Sequence, residues 1–103
     1  MKLTTKEKFR ALKVLSHDTH IGMTDDGSWY VNVPHVEVKK GSILASASSF
    51  GDTVEYAINS CFDDLTTLPH DKYVVKNAMS KKDRKAFLWN GFMWEQIDEK
   101  VYN

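Results

Sequence analysis

Cysteine is nearly absent: Cys61 stands alone in 103 residues, which excludes an internal disulfide and fits a reducing compartment. An excess charge of either sign is also missing. Fourteen basic residues balance fourteen acidic ones, so no overall field draws the chain to nucleic acid or to an anionic membrane, and any electrostatic attraction must be local. Only five glycines occur, and they form no glycine-rich phosphate loop; nucleophile-elbow and zinc patterns are likewise missing. No apolar run approaches the ~20 residues of a membrane span. The first residues, Met1-Lys2-Leu3-Thr4-Thr5-Lys6-Glu7-Lys8, turn charged before a signal-peptide core develops, so the expectation is a cytoplasmic protein with no membrane partner. Repeats, low-complexity tracts and lipidation motifs are absent too.

What is present suits one globular domain with a single modest core: 42 % hydrophobic, 12 % aromatic and 27 % charged residues. Thr4 and Glu7 have the spacing of a capping box, and Phe9, Leu12 and Leu15 follow at helical intervals. Five of the first thirteen residues (Lys2, Lys6, Lys8, Arg10, Lys13) are basic, against the one carboxylate of Glu7. Residues 19–24 alternate as a strand, and Asp25-Asp26-Gly27 supplies turn chemistry. In the next strand Trp29, Val31 and Val33 share one parity, whereas Val36 and Val38 share the other. A bulge or edge position at Pro34-His35 would keep both sets facing inward. Lys40-Gly41 is expected to turn the chain into a strand of small residues over 42–48.

Asp52 or Thr53 caps a second helix over 53–66, where Val54, Ala57, Ile58, Cys61, Phe62 and Leu65 form an unbroken apolar stripe. Pro69 bars its continuation. Residues 72–78 read as a strand, 80–84 as a charged turn, and Lys85 to Ile97 as a hairpin about Asn90-Gly91, the pair suited to a two-residue type I′ loop. That register sets Trp89 opposite Phe92 and Phe87 opposite Trp94, with four rings on one side of the ribbon. Residues 98–103 read as a polar tail. The expected fold is therefore α+β, a single domain in the order α-β-β-β-α-β-β-β, with a mostly antiparallel sheet and both helices on one face.

Two charged segments and the ribbon supply the candidate binding residues. Asp52, Glu55, Asp63 and Asp64 lie on a helix without Lys or Arg between 52 and 71, and suit a basic patch on a protein partner, including a nucleic-acid-binding one. Lys81, Lys82, Arg84 and Lys85, beside Trp89 and Trp94, are the set that would grip single-stranded nucleic acid or RNA by phosphate contact and base stacking. The aromatic face has a competing use as the cover of the Cys61-Phe62 side of the second helix. His17, Asp18 and His20, with His35 and His70, match no common metal spacing, so neither a metal nor another cofactor is expected. Cys61 sits on the apolar stripe rather than beside a base, and adjacent acids such as Asp63-Asp64 do not converge on one bond. An enzyme is not expected.

The stretch from Asp25 to Leu65, with Asp26-Gly27-Ser28-Trp29-Tyr30-Val31 before the strands and Gly51-Asp52-Thr53-Val54-Glu55-Tyr56-Ala57-Ile58 opening the helix, resembles the strand-strand-strand-helix unit of HicB-type antitoxins. It differs at Lys40-Gly41-Ser42, where that family carries Pro-Gly-Cys. The overall layout, closing on Arg84-Lys85-Ala86-Phe87-Leu88-Trp89-Asn90-Gly91-Phe92-Met93-Trp94-Glu95, is similar to small accessory proteins of bacteriophages and prophages. The first resemblance implies an antitoxin role. The second implies a soluble protein of the bacterial host cytoplasm that binds a host factor, for example a defence nuclease, and inhibits or redirects it.

Overall fold

The computed structural model describes residues 2–40, 43–69 and 71–102. Its elements follow the order α1 (Thr5–Leu15), β1 (His20–Met23), β2 (Trp29–Lys40), β3 (Ile43–Gly51), α2 (Val54–Thr66), β4 (Tyr73–Lys76), β5 (Lys85–Trp89) and β6 (Trp94–Ile97), closed by a short 3-10 helix, Glu99–Tyr102. The expected α+β order is thus observed, and the tail beyond 98 adds an ordered turn to it. The turn expected at Lys40-Gly41 falls in part outside the described residues, β2 running to Lys40.

Both helices start where a hydroxyl satisfies orphan amides. Thr4 Oγ1 accepts from the Glu7 amide at 3.2 Å, and Glu7 Oε1 accepts from the Thr4 amide at 2.9 Å, which completes the capping box. Of the two caps proposed for α2, Thr53 is the one used: its hydroxyl accepts from Tyr56 N at 3.0 Å. At the other end of α1, Lys76 donates from Nζ to the Val14 carbonyl at 3.1 Å, a cation where the helix dipole favours one.

All strands pair antiparallel, in the order β1-β2-β4-β5-β6 with β3 on the other edge of β2. The long strand β2 organises this sheet. Its first half pairs β1 and its second half pairs β4 along the same edge, as Ile21 opposite Val31 and Val74 opposite Val38. Against β3 the register slips between Asn32, opposite Ser48, and Glu37, opposite Ser46. Five steps along β2 therefore match two along β3. An odd number of extra residues inverts the alternation of faces, which is how Val31, Val33 and Val36 are all buried despite their opposite parities.

The strand is kinked there by a left-handed residue, His35 at φ 64°. Asn77, which would stand opposite it in the β2–β4 ladder, is also left-handed at φ 55°, and the Ala78 amide donates to the His35 carbonyl at 3.0 Å. The pair closes the ladder, so β4 stops at Lys76 rather than running on to Ala78.

Leu12 and Leu15 of α1, the apolar stripe of α2, and Val31, Val33, Val36 and Val74 of the sheet form the main core, with Phe87 and Trp94 packed against it. Each fully buried aliphatic side chain there stabilises the fold by about 1.5–3 kcal/mol. Tyr73, Val75 and Ala86 alternate with those residues along β4 and β5, so they face the other side of the sheet, where Leu88 and Ile97 pack against them. The helices cover one face and the 3-10 helix attaches to the other.

The hairpin departs from the expected register. Trp89 pairs with Trp94 and Phe87 with Gln96, so the loop is four residues, 90–93, rather than two. The Asn90 side chain accounts for it: Oδ1 accepts from the amides of both Phe92 and Met93 at 2.9 Å each, while the Asn90 amide donates to the Met93 carbonyl at 3.1 Å. Gly91 supplies the positive φ, 101°. The longer loop sets the two indoles against each other and expels Phe92 to the tip, so three rings rather than four share the inward face.

His35 is exposed and its constraint is the backbone. Replacing it with valine, which resists φ > 0, is expected to lower unfolding stability by about 1–2 kcal/mol. His35→Gly should leave stability within about 0.5 kcal/mol, as relief of strain offsets backbone entropy. Urea denaturation of the two variants measures the difference, and equal losses would place the histidine side chain, not its φ, in control.

Candidate protein-interaction groove

The inward rings of the hairpin form a chain of edge-to-face contacts. Trp94 meets Trp89 at a centroid distance of 5.1 Å and 70°, and Trp89 meets Phe62 of α2 at 5.1 Å and 80°. Lys8 of α1 lies 5.5 Å above the Phe62 ring. Trp94 also donates from Nε1 to the Ala11 carbonyl at 2.9 Å, which pins the hairpin to the middle of α1. Trp89 and Trp94 are half-buried by these contacts and cover α2 and α1.

Above this floor lies a groove of about 500 Å³, bounded by Leu3, Glu7, Arg10, Ala11 and Val14 on one side and by Phe92 and Met93 at the hairpin tip on the other. Residues 7, 10 and 14 follow helical spacing, so they form one ridge of α1. The walls are exposed as well as apolar: Phe92 is 85 %, Met93 61 % and Val14 60 % accessible. These side chains stabilise no core. Lys6, Arg10 and Lys13, at i, i+4 and i+7, are exposed along the adjoining ridge, and Lys2 is exposed before the helix.

The acidic candidates do not form one site. Asp63 approaches Lys8 at 3.9 Å while remaining largely exposed, and Asp64 accepts a hydrogen bond from Ser49 of β3 at 3.2 Å. Asp63 and Asp64 border a shallow hollow of about 270 Å³ with Tyr56, Asn59 and Ser60, whereas Asp52 and Glu55 stand exposed at the other end of α2.

The basic candidates are divided more sharply. Lys81, Lys82 and Lys85 are exposed, but Arg84 is consumed inside the protein. Its Nε and Nη2 donate to the two carboxylate oxygens of Glu99 at 2.9 and 2.6 Å, and its Nη1 donates to the Ala78 carbonyl at 2.8 Å. Tyr73 donates from its hydroxyl to Glu99 Oε2 at 2.8 Å, and Lys39 donates to the same oxygen at 3.3 Å. The bidentate Arg84 contact, helped by Tyr73 and Lys39, holds the Glu99 carboxyl down at about 2. Burial, followed by the neighbouring carboxylate, raises the Tyr73 hydroxyl to about 12. This knot lies on the Tyr73 face of the sheet and the tryptophans on the helix face, so Arg84 and the indoles share no surface.

His17 is exposed on the loop after α1, His20 is exposed at the start of β1, His35 stands at the bulge, and His70 lies outside the described residues. Among the described residues no group of three potential ligands converges on a metal position. Cys61 is buried, and burial pushes its thiol up to about 12, far from the range of a nucleophile at neutral pH. Also among the described residues, no helix is long and apolar enough to cross a membrane.

The sequence pattern places Phe92 on the ribbon's inward face and singles out neither Met93 and Val14 as groove walls nor Glu99 as the centre of the knot. A signal for the first two was present: Asn90 can close a four-residue loop with its side chain, and such a loop strands apolar residues at its tip. No family model, curated protein or solved structure matches the chain.

The Glu99 knot makes a pH-dependent contribution of known sign. A carboxyl held near 2, below its ordinary 4.5, contributes stability that is complete above 4.5 and lost as pH falls toward 2. The limiting size is about 3 kcal/mol, from ~1.4 kcal/mol per pKa unit. Glu99→Gln should therefore lower stability by roughly 2–3 kcal/mol at pH 7 and flatten the decline between pH 4.5 and 2. Denaturant unfolding across that window measures both, and an unchanged acid limb in the variant would contradict the assignment.

Proposed function

We propose that this protein is a small non-catalytic binding protein that occludes a partner protein, docking through the groove between α1 and the hairpin tip. One observation carries the proposal: Phe92, Met93 and Val14 are large, apolar and exposed around a single concavity. Clustered exposed apolar side chains of this kind mark interaction sites. The floor beneath them is held by the Trp94–Ala11 hydrogen bond and the stacked rings, so little ordering has to accompany docking. The buried thiol of Cys61 and the scattered histidines support binding rather than chemistry.

The resemblance to phage accessory proteins supplies the physiological side of the proposal. The partner is a host factor in the bacterial cytoplasm, for instance a defence nuclease, and occupancy of its surface inhibits or redirects it. An antitoxin-like role would use the same act of occlusion. The single-strand nucleic-acid alternative is weakened because Arg84 is held by Glu99 and the two indoles are engaged in packing.

Affinity capture from bacterial lysate, run with paired variants, tests the proposal. Phe92→Ser with Met93→Ser is expected to reduce the retained partner by about tenfold or more, as loss of two apolar anchors does at interfaces. Lys81→Glu with Lys82→Glu should leave retention unchanged. The reverse pattern, with retention lost on charge reversal and preserved in the tip variant, would transfer the function to the basic loop.

A further inference from the structure

Resting on the groove as the docking surface, we infer that its occupant is an acidic amphipathic helix of the partner, with its apolar side seated between α1 and Phe92-Met93. The lining selects large apolar side chains. Leu3, Ala11, Val14, Phe92, Met93 and the two indoles bound a hollow of about 500 Å³, which holds a few such side chains and not a flat surface. The α1 wall is a helix ridge, Glu7–Arg10–Val14, and a second helix laid along it packs ridge into groove with anchors near i, i+3 or i+4, and i+7.

Charge determines what the polar side of that helix carries. Lys2, Lys6, Arg10 and Lys13 are exposed beside the groove. Two carboxylates also stand here and keep their charge, Glu7 with its Oε1 accepting from the Thr4 amide at 2.9 Å and Glu95 with its Oε2 accepting from the Asn90 side-chain amide at 3.2 Å, so the four cations outnumber them. A segment bearing Asp or Glu beside its apolar anchors complements this rim, and a basic one is repelled. The same cations disfavour a two-fold pairing of this groove with a second copy, which would bring the lysine ridges face to face. An anionic membrane would satisfy the charge, but a concave site with a ring-lined floor matches side chains better than a lipid surface.

Selection from a display library of random peptides of about 16 residues, ~24 Å as helix, tests this directly. Enriched peptides are expected to be net negative with large apolar residues at helical spacing. Binding of a representative synthetic peptide, followed by tryptophan emission from Trp89 and Trp94, should weaken about tenfold or more in Lys6→Glu with Lys13→Glu and in Phe92→Ser with Met93→Ser.

Enrichment of neutral or basic peptides that still need Phe92 and Met93 would overturn the acidic helix and leave groove docking intact. Peptides indifferent to both variants would overturn both. Failure to enrich any peptide would overturn the helix, and two parallel measurements would then identify the alternative. Co-sedimentation with phosphatidylcholine–phosphatidylglycerol vesicles would assign the groove to a membrane surface; a concentration-dependent dimer abolished by the tip variant would assign it to a second copy.

Discussion

The register break in the middle of β2 is the constraint on which the rest depends. A strand of twelve residues with strict alternation would bury either Val31 and Val33 or Val36, never all three. The slip between Asn32 and Glu37 reverses the alternation once, and both halves then present valine to the helices. It also ends the β1 pairing on that edge and frees the edge for β4. Without that exchange β4, β5 and β6 would have no attachment to the sheet, and the hairpin would have nothing to carry it over α1 and α2.

The hairpin has two roles that its four-residue loop separates. Below the loop, Trp89 and Trp94 belong to the fold, because they seal Phe62 and tie to the Ala11 carbonyl. Beyond them, Phe92 and Met93 touch the fold so little that most of their surface meets solvent. In the two-residue loop Phe92 would have faced Trp89 and been absorbed into the ribbon. The extra residues therefore turn a core-forming ribbon into one that also offers an apolar tip, with Asn90 closing the loop by its own side chain.

Much of the architecture was legible in the sequence, for local reasons. The capping box at Thr4, the apolar stripe of α2 and the parity switch at Pro34-His35 are each written in a few adjacent residues, and each appears in the structure. The hairpin register was not legible, because Asn90-Gly91 suits two loop lengths and the choice depends on what the indoles meet across the chain. The Glu99 knot was hidden for the same reason: its partners, Lys39, Tyr73 and Arg84, are far from it in sequence, and only the sheet brings them together. As a site, the acidic helix face read as one surface from composition, but Asp63 and Asp64 lean toward different neighbours.

That long-range pairing also decides how the charged residues divide between structure and recognition. The Arg84 fork matches the Glu99 carboxylate with both oxygens bound at a part-buried site, so transferring that guanidinium to an external phosphate would deprive the carboxylate of its main partner. On α1, Lys8 meets Asp63 and the Phe62 ring and Lys13 lies over Phe9, but none of its cations is held in a comparable knot. Lys6, Arg10 and Lys13 line the solvent side of a helix whose opposite side is already secured by Leu12 and Leu15. A partner can therefore approach them without competing against the fold. The same holds for Phe92, Met93 and Val14 between them and the tip: the surface with the least structural duty is also the one where exposed apolar area and an excess of cations coincide.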